Sequence, residues 1–282
     1  MSIITSDGIE LFVEKSGKGI PCIYLHGGPG YWSKSFSIYS KDLLENDLEM
    51  IYLDQRGCGR SSHDPEGNYS LDRLVEDIEE VRVKFGIKEW YIMGHSFGGL
   101  LAVNYASKYS DRTKGIILVN ATLNMMESFT HQINKGFEIL DKGKAEIPTN
   151  NLSAFIEIFY STLGELQGIK EYERFQFVDL SNKKSLDELD NDKEFNTDSS
   201  FQKKILSTKE FFQDFTVLSE TINSPVLTMT GEKDGAVGPE HYQSFKFRNN
   251  TVSKLNGAHH PYLENPNEFK QSILSFINRG GT

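Results

Sequence analysis

Trp90-Tyr91-Ile92-Met93-Gly94-His95-Ser96-Phe97-Gly98-Gly99-Leu100-Leu101-Ala102-Val103 is the stretch on which the fold turns. Its first four residues form an apolar run suited to a buried strand, and Leu100 begins a helical pattern. Between them the chain reverses within a few residues, which forces strained dihedrals on the residue at the apex. Gly94 and Gly98 flank that apex and lack the Cβ atoms that would clash there. A serine between two glycines on a strand-to-helix turn is the nucleophile-elbow arrangement, and it makes Ser96 the candidate nucleophile.

Upstream, residues from about Ile3 to Lys15 alternate apolar and polar side chains around Asp7-Gly8, which predicts an antiparallel hairpin at a sheet edge. Short apolar runs at residues 21–25, 50–53, 90–93, 115–119 and 225–230 have the pattern of parallel strands covered on both faces. Helical patterns lie between several of them, clearest at residues 71–81, where apolar side chains recur at intervals of three and four. Strand alternating with helix implies an α/β fold with a doubly wound, mostly parallel sheet. The alternation stops after Val119. Residues 124–204 carry helical periodicity and many aromatics, so they are expected to form a helical cap inserted into a core built from residues 1–123 and 205–282. Within the cap, helices are expected at residues 131–140, 152–163 and 169–180, and the charged stretch 183–194 reads as a solvated loop or helix face.

With 282 residues and 38% hydrophobic content, the chain can bury a sizeable core. A formal net charge of -10 and a pI near 5.3 repel phosphate backbones and anionic lipid heads, which argues against nucleic acid or a membrane surface as partner. The first residues contain neither a basic nor a long apolar region, and no later run reaches membrane-spanning length, so the expectation is a soluble, cytoplasmic protein. Cys22 and Cys58 are too few for a disulfide framework and lack the spacing of a structural zinc site. Cys22, inside an apolar run, is expected in the core. No metal or other cofactor is expected.

In a sheet of this kind ligands bind at the carboxyl ends of the strands, so the residues that end each apolar run should converge. After Leu25 comes His26-Gly27-Gly28-Pro29-Gly30, a tight glycine turn whose amides can face a developing oxyanion; Gly28 is the chosen donor. The second donor is the amide of Phe97, the residue after the nucleophile. After Met229-Thr230 comes Gly231-Glu232-Lys233-Asp234-Gly235, where a carboxylate can orient an imidazole; Asp234 is the chosen acid and Glu232 its local rival. Near the C-terminus, His259-His260 follows a short strand pattern through Val252 and Leu255, and a histidine there can take the serine proton and return it to the leaving group. The chain order serine, acid, histidine is the one expected of this elbow in this fold.

These segments, together with Asp54-Gln55-Arg56-Gly57-Cys58-Gly59-Arg60-Ser61 and His259-His260-Pro261-Tyr262-Leu263-Glu264-Asn265-Pro266, make nearly the whole chain resemble the α/β-hydrolase superfamily, and within it the proline iminopeptidase group of serine aminopeptidases. In relatives the catalytic histidine stands five residues before a glutamate resembling Glu264, which selects His259 over His260. The resemblance implies a triad of Ser96, Asp234 and His259, an acyl-enzyme, and release of an N-terminal residue, often proline, from a short peptide. It also implies acidic side chains that bind the free α-amino group.

Here the chain departs from its relatives. Many carry a glutamate directly after the triad aspartate, where this sequence has Gly235, and the tryptophan–glutamate cap motif of one branch is missing because the tryptophans are Trp32 and Trp90. Glu157, Glu165, Glu171 and Glu173 of the cap are candidate substitutes, though the usual place for such charges is solvent. Phe155, Phe159, Tyr160, Phe175 and Phe177 are expected in the cap core or lining an apolar substrate pocket. The arginine of the Asp54–Ser61 segment is expected to brace loops near the site by hydrogen bonds and ion pairing. The alternatives are an esterase or lactonase acting on small acyl esters, and a catalytically silent member that binds a ligand.

Overall fold

The computed structural model describes residues 1–279. Its strands are β1 (Ser2–Ile4), β2 (Glu10–Gly17), β3 (Ile20–Leu25), β4 (Leu48–Leu53), β5 (Trp90–His95), β6 (Thr113–Val119), β7 (Val226–Gly231) and β8 (Asn250–Leu255). They form one sheet in the order β1-β2-β4-β3-β5-β6-β7-β8. The β1–β2 and β2–β4 pairs are antiparallel and every other pair is parallel. The edge hairpin therefore falls where the alternation around Asp7-Gly8 predicts it.

The central strands β5 and β7 are buried along their whole length, which is why their sequences are continuous apolar runs. One face packs Leu74, Ile78, Leu101 and Tyr105 from α2 (Leu71–Lys84) and α3 (Phe97–Lys108) onto Ile23, Ile51 and Ile92. The other packs Phe36, Leu44, Phe269 and Ile273, from helix α1 (Lys34–Leu44) and the C-terminal helix of residues 266–279, onto Cys22, Met93 and Ile117. Cys22 is thus core.

The insertion between β6 and β7 is helical: α4 (Met125–Ile139), α5 (Leu152–Gly168), α6 (Leu180–Asp190) and α7 (Ser199–Ser207). After β8 come α8 (Pro261–Glu264) and α9 (Pro266–Arg279). Phe155 and Phe175 join Ile133 and Leu166 in a separate cap core. The helix expected at residues 169–180 does not form. Only a 3-10 turn, Tyr172–Phe175, occurs there, because Lys170 takes a positive φ of 61° and the carbonyls of Phe175 and Gln176 are spent on the core, accepting from the amides of Gly235 (2.9 Å) and His259 (3.0 Å). The charged stretch is likewise more than a solvated face: its first half is α6, and its second half lies across the core loops.

Arg56 braces loops by ion pairing as expected, but at the edge hairpin and not beside the site. Its guanidinium is fully buried and bonds Asp77 (2.6 Å), Asp64 (2.8 Å) and Asp7 (2.9 Å), tying the hairpin loop to α2. Asp7 is drawn down to about 2: burial opposes ionisation, and the Arg56 hydrogen bonds and charge outweigh it. Among the described residues, no helix is long and apolar enough to cross a membrane.

Candidate active site

Ser96 sits between β5 and α3 with φ 54° and ψ -122°, the strained conformation predicted for an elbow. The crowding is severe. A Cβ on Gly94 would stand 2.4 Å from the Gly98 oxygen, and one on Gly98 would stand 2.1 Å from the Leu25 oxygen, so the elbow is pressed against both its own helix and the end of β3. The Ser96 amide donates to Val119 (3.1 Å) and its carbonyl accepts from Thr122 (3.1 Å), which fastens the turn to the end of β6.

Of the two candidate acids, Glu232 is exposed and Asp234 is 1% exposed. Both Asp234 carboxylate oxygens meet Nδ1 of His259, at 3.1 and 3.0 Å, and Oδ1 also accepts from the amides of Ala236 (2.9 Å) and Val237 (3.1 Å). That contact fixes the Nδ1–H tautomer and leaves Nε2 of His259 as the free acceptor. His260 is differently engaged: its ring stacks on Phe177 at 4.7 Å, Nε2 donates to Gln176 Oε1 (3.2 Å), and Nδ1 accepts from the Tyr262 hydroxyl (3.0 Å). Burial pushes His260 well below the usual histidine range, followed by the charge of His259. Ser96 and His259 line one cavity of about 430 Å³.

The glycine turn meets the elbow directly. A Cβ on Gly27 would stand 2.8 Å from the Ser96 Cβ, so only glycine lets this backbone lie over the serine. His26 anchors the turn from below: its Nε2 accepts from the Gln55 amide (3.0 Å), and its carbonyl accepts from the Gln55 side chain (2.9 Å). Among the described residues the Gly28 amide has no acceptor, and the Phe97 amide belongs to the first turn of α3, where no intrahelical acceptor exists. Both residues line the cavity.

Several supports were not read from the sequence. Asn120, at φ 43°, accepts from the Gly231 amide (2.8 Å) and donates to the Ala258 carbonyl (2.5 Å), coupling the loop of the acid to that of the histidine. His95, pushed down to about 3 chiefly by burial, donates from Nε2 to the His259 carbonyl (2.8 Å). Glu264 accepts from Ala258 (2.5 Å), Val178 (2.6 Å) and Asp179 (3.2 Å). An asparagine ending an apolar run was the available signal for the first; the others depend on loops that meet only in the fold.

The cavity wall is aromatic and apolar, with Phe129, Phe159, Tyr160, Leu163, Phe177 and Leu206. Glu157, Glu165, Glu171 and Glu173 do not line it; its cap carboxylates are Asp187 and Asp190. Asp187 is paired with Lys183 at 2.5 Å. Asp190 is bonded only by neutral donors, the Tyr31 hydroxyl (2.9 Å) and the Trp32 indole (3.1 Å), and burial raises its pKa above the ordinary aspartate value. Among the described residues, no cluster of three or more His, Cys, Asp or Glu could hold a metal ion.

Known proteins resemble this chain in sequence and in fold. The chain is 27% identical over 278 residues to a proline iminopeptidase of Heyndrickxia coagulans, covering 94% of this chain and 93% of that relative. It is 38% identical over 115 residues to the proline iminopeptidase of Neisseria gonorrhoeae, a match to 39% of this chain that spans only 36% of that relative's length. In three dimensions it resembles a proline iminopeptidase-related protein of Thermus thermophilus (TM-score 0.81, 21% identity, 99% of this chain and 96% of that one). It also resembles an esterase of Exiguobacterium antarcticum (TM-score 0.72, 19% identity, 99% of both chains). The family model described as the alpha/beta hydrolase fold matches residues 21–266, and with that match across most of its length the chain belongs to the alpha/beta hydrolase family.

Proposed function

We propose that this protein is a serine hydrolase working through an acyl-enzyme, and that it is an aminopeptidase releasing an N-terminal residue from small peptides in the manner of a proline iminopeptidase. The observation that carries the reading is the buried Asp234 carboxylate gripping Nδ1 of His259 in the cavity where Ser96 is held at φ 54°. In this reading Nε2 of His259 takes the Ser96 proton as Oγ attacks the scissile carbonyl, and Asp234 stabilises the imidazolium. The amides of Gly28 and Phe97 donate to the oxyanion. Collapse expels the amine, which takes the proton from His259, and water then attacks the acyl-serine by the same route.

Asp190 supports the peptidase form. A carboxylate on the cavity wall that is hydrogen-bonded only by neutral donors, with the nearby Lys183 paired to Asp187, attracts an ammonium group, and an unblocked N-terminus supplies one. Gly235 favours the esterase form. A Cβ there would stand 3.0 Å from the Phe175 Cα, so the wall beside Asp234 is neutral and closed by the cap.

The test is a panel of an unblocked prolyl arylamide, its N-acylated form and a short-chain aryl ester. The expected result is preference for the unblocked arylamide and loss of about five to six powers of ten in turnover for Ser96→Ala. Hydrolysis of the ester and the blocked compound but not the free amine would overturn the peptidase reading. Near-normal turnover by Ser96→Ala would overturn the hydrolase reading.

A further inference from the structure

The glycine turn is fastened at both ends, and the fastenings come from different parts of the fold. Gln55 and the elbow hold its start, at His26 and Gly27. Its end is held by the insertion. The Thr197 hydroxyl donates to the Gly30 carbonyl (2.6 Å), and the Gln202 side-chain amide donates to the Pro29 carbonyl (3.1 Å). Gly30 is buried under these two side chains, since a Cβ there would stand 2.7 Å from Gln202 Nε2 and 2.8 Å from Thr197 Cγ2.

The segment that brings them is itself tied down. The Asn196 and Asp198 amides donate to Gly59 (3.3 Å) and Gly57 (2.8 Å), Lys34 bonds Asp192 (2.6 Å) and Glu194 (2.9 Å), and Phe195 packs on Trp32 at 4.9 Å between ring centroids. Residues 190–202 thus form a strap across the loops at the mouth of the site.

A turn with glycine at 27, 28 and 30 is soft, and Gly28 stands at φ 118°. A donor to an oxyanion works only if its direction is set before the charge appears. We infer that Thr197 and Gln202 are positioning residues, which hold the Gly28 amide in its working direction by clasping the two carbonyls beyond it. This rests on the reading of Gly28 as an oxyanion donor and assigns the insertion a part in transition-state stabilisation.

Thr197→Val and Gln202→Leu keep shape and remove the donors, singly and together, and Thr197→Ser restores one of them. In glycine-labelled protein, the amide order parameter of Gly28 is expected to fall in the double variant from about 0.85 to below about 0.6. Turnover of the aryl ester or arylamide is expected to drop about tenfold, with KM within about twofold, because full loss of one such donor costs about 100- to 1,000-fold. Thr197→Ser should stay close to wild type by both measures. A rigid Gly28 in the double variant overturns the clasp whether or not the wild type turns over any substrate. A loosened Gly28 with unchanged kcat overturns its part in catalysis. Wild-type inactivity on every substrate would instead remove the hydrolase reading, and the order parameter would still decide the clasp.

Discussion

Replacing Glu264 tests whether a residue outside the cavity holds the site together. Its carboxylate lies between two chain segments: Oε2 accepts from Ala258, next to His259, and Oε1 accepts from Val178 and Asp179 of the insertion. Hydrogen bonds to a charged acceptor contribute about 1.5–3 kcal/mol each when buried. Glu264 is only half-buried, so about 1 kcal/mol for each of three is the appropriate scale. Glu264→Ala should therefore cost about 3 kcal/mol, close to 6 °C in Tm for a chain of this size. Glu264→Gln is the sharper variant. It keeps the shape but must turn an NH2 toward either the Ala258 amide or the Val178 and Asp179 amides, so it should recover less than half of the loss. Thermal and urea unfolding followed by circular dichroism give both numbers, and kcat should fall alongside because the His259 loop loses one of its ties to the insertion, keeping only those to Gln176. If Glu264→Ala unfolds within about 0.5 kcal/mol of wild type, the range of a neutral surface substitution, the clamp is not a structural element.

Asp190→Asn keeps the bonds to Tyr31 and Trp32 but removes the charge; kcat/KM on the unblocked arylamide should fall about 10- to 100-fold while the aryl ester changes less than about threefold, and equal losses on both substrates would refute an ammonium-binding role. Stability should also decline below neutral pH. His95 is displaced by burial from 6.5 to about 3, and His26 and His260 are lowered too, so the unfolded chain takes up protons that the native one refuses. That stability is intact above pH 6.5 and is lost as pH falls toward 3, with His95 alone accounting for about 2 kcal/mol at pH 5. Urea unfolding at pH 7 and pH 5 should show a smaller drop for His95→Gln than for wild type, and an unchanged drop would refute the assignment.

What could be read in advance followed from local rules. The central strands announce themselves because burial on both faces demands unbroken apolar runs, and the elbow because its crowding admits only glycine at 94 and 98. The rule that ligands gather at strand ends brought the loop of Asp234 to that of His259 and His260, and the resemblance then chose His259. What failed had its causes in tertiary contacts. Residues 169–180 have helical composition, yet two of their carbonyls bond to the loops of Gly235 and His259, and that exchange outweighs local propensity. Residues 183–194 look like solvated charge because nothing in their order shows that Asp190 meets Tyr31 and Trp32, more than 150 positions earlier. Glu264 served only to choose between two histidines; that it also holds the insertion depends on Val178 and Asp179 arriving beside it.

Besides the core bonds of Asn120 and His95, the bonds that escaped the sequence share a direction, from the insertion to the loops around the cavity. Gln176 accepts from the His259 amide, Phe175 accepts from the Gly235 amide, Glu264 joins the His259 loop to residues 178 and 179, and Thr197 and Gln202 hold the glycine turn. Each proposed chemical element except the elbow thus has a hydrogen bond to the insertion within two residues. At about 1 kcal/mol apiece, breaking them together would cost several kcal/mol, which keeps a swung-open insertion below about one molecule in a hundred. Lifting the insertion as a rigid lid would also release the loops of Gly28 and His259, so the proposed site would come apart while the lid stood open. It follows that substitutions in the insertion should alter kcat as readily as KM, which a simple cover over a self-sufficient core would not do.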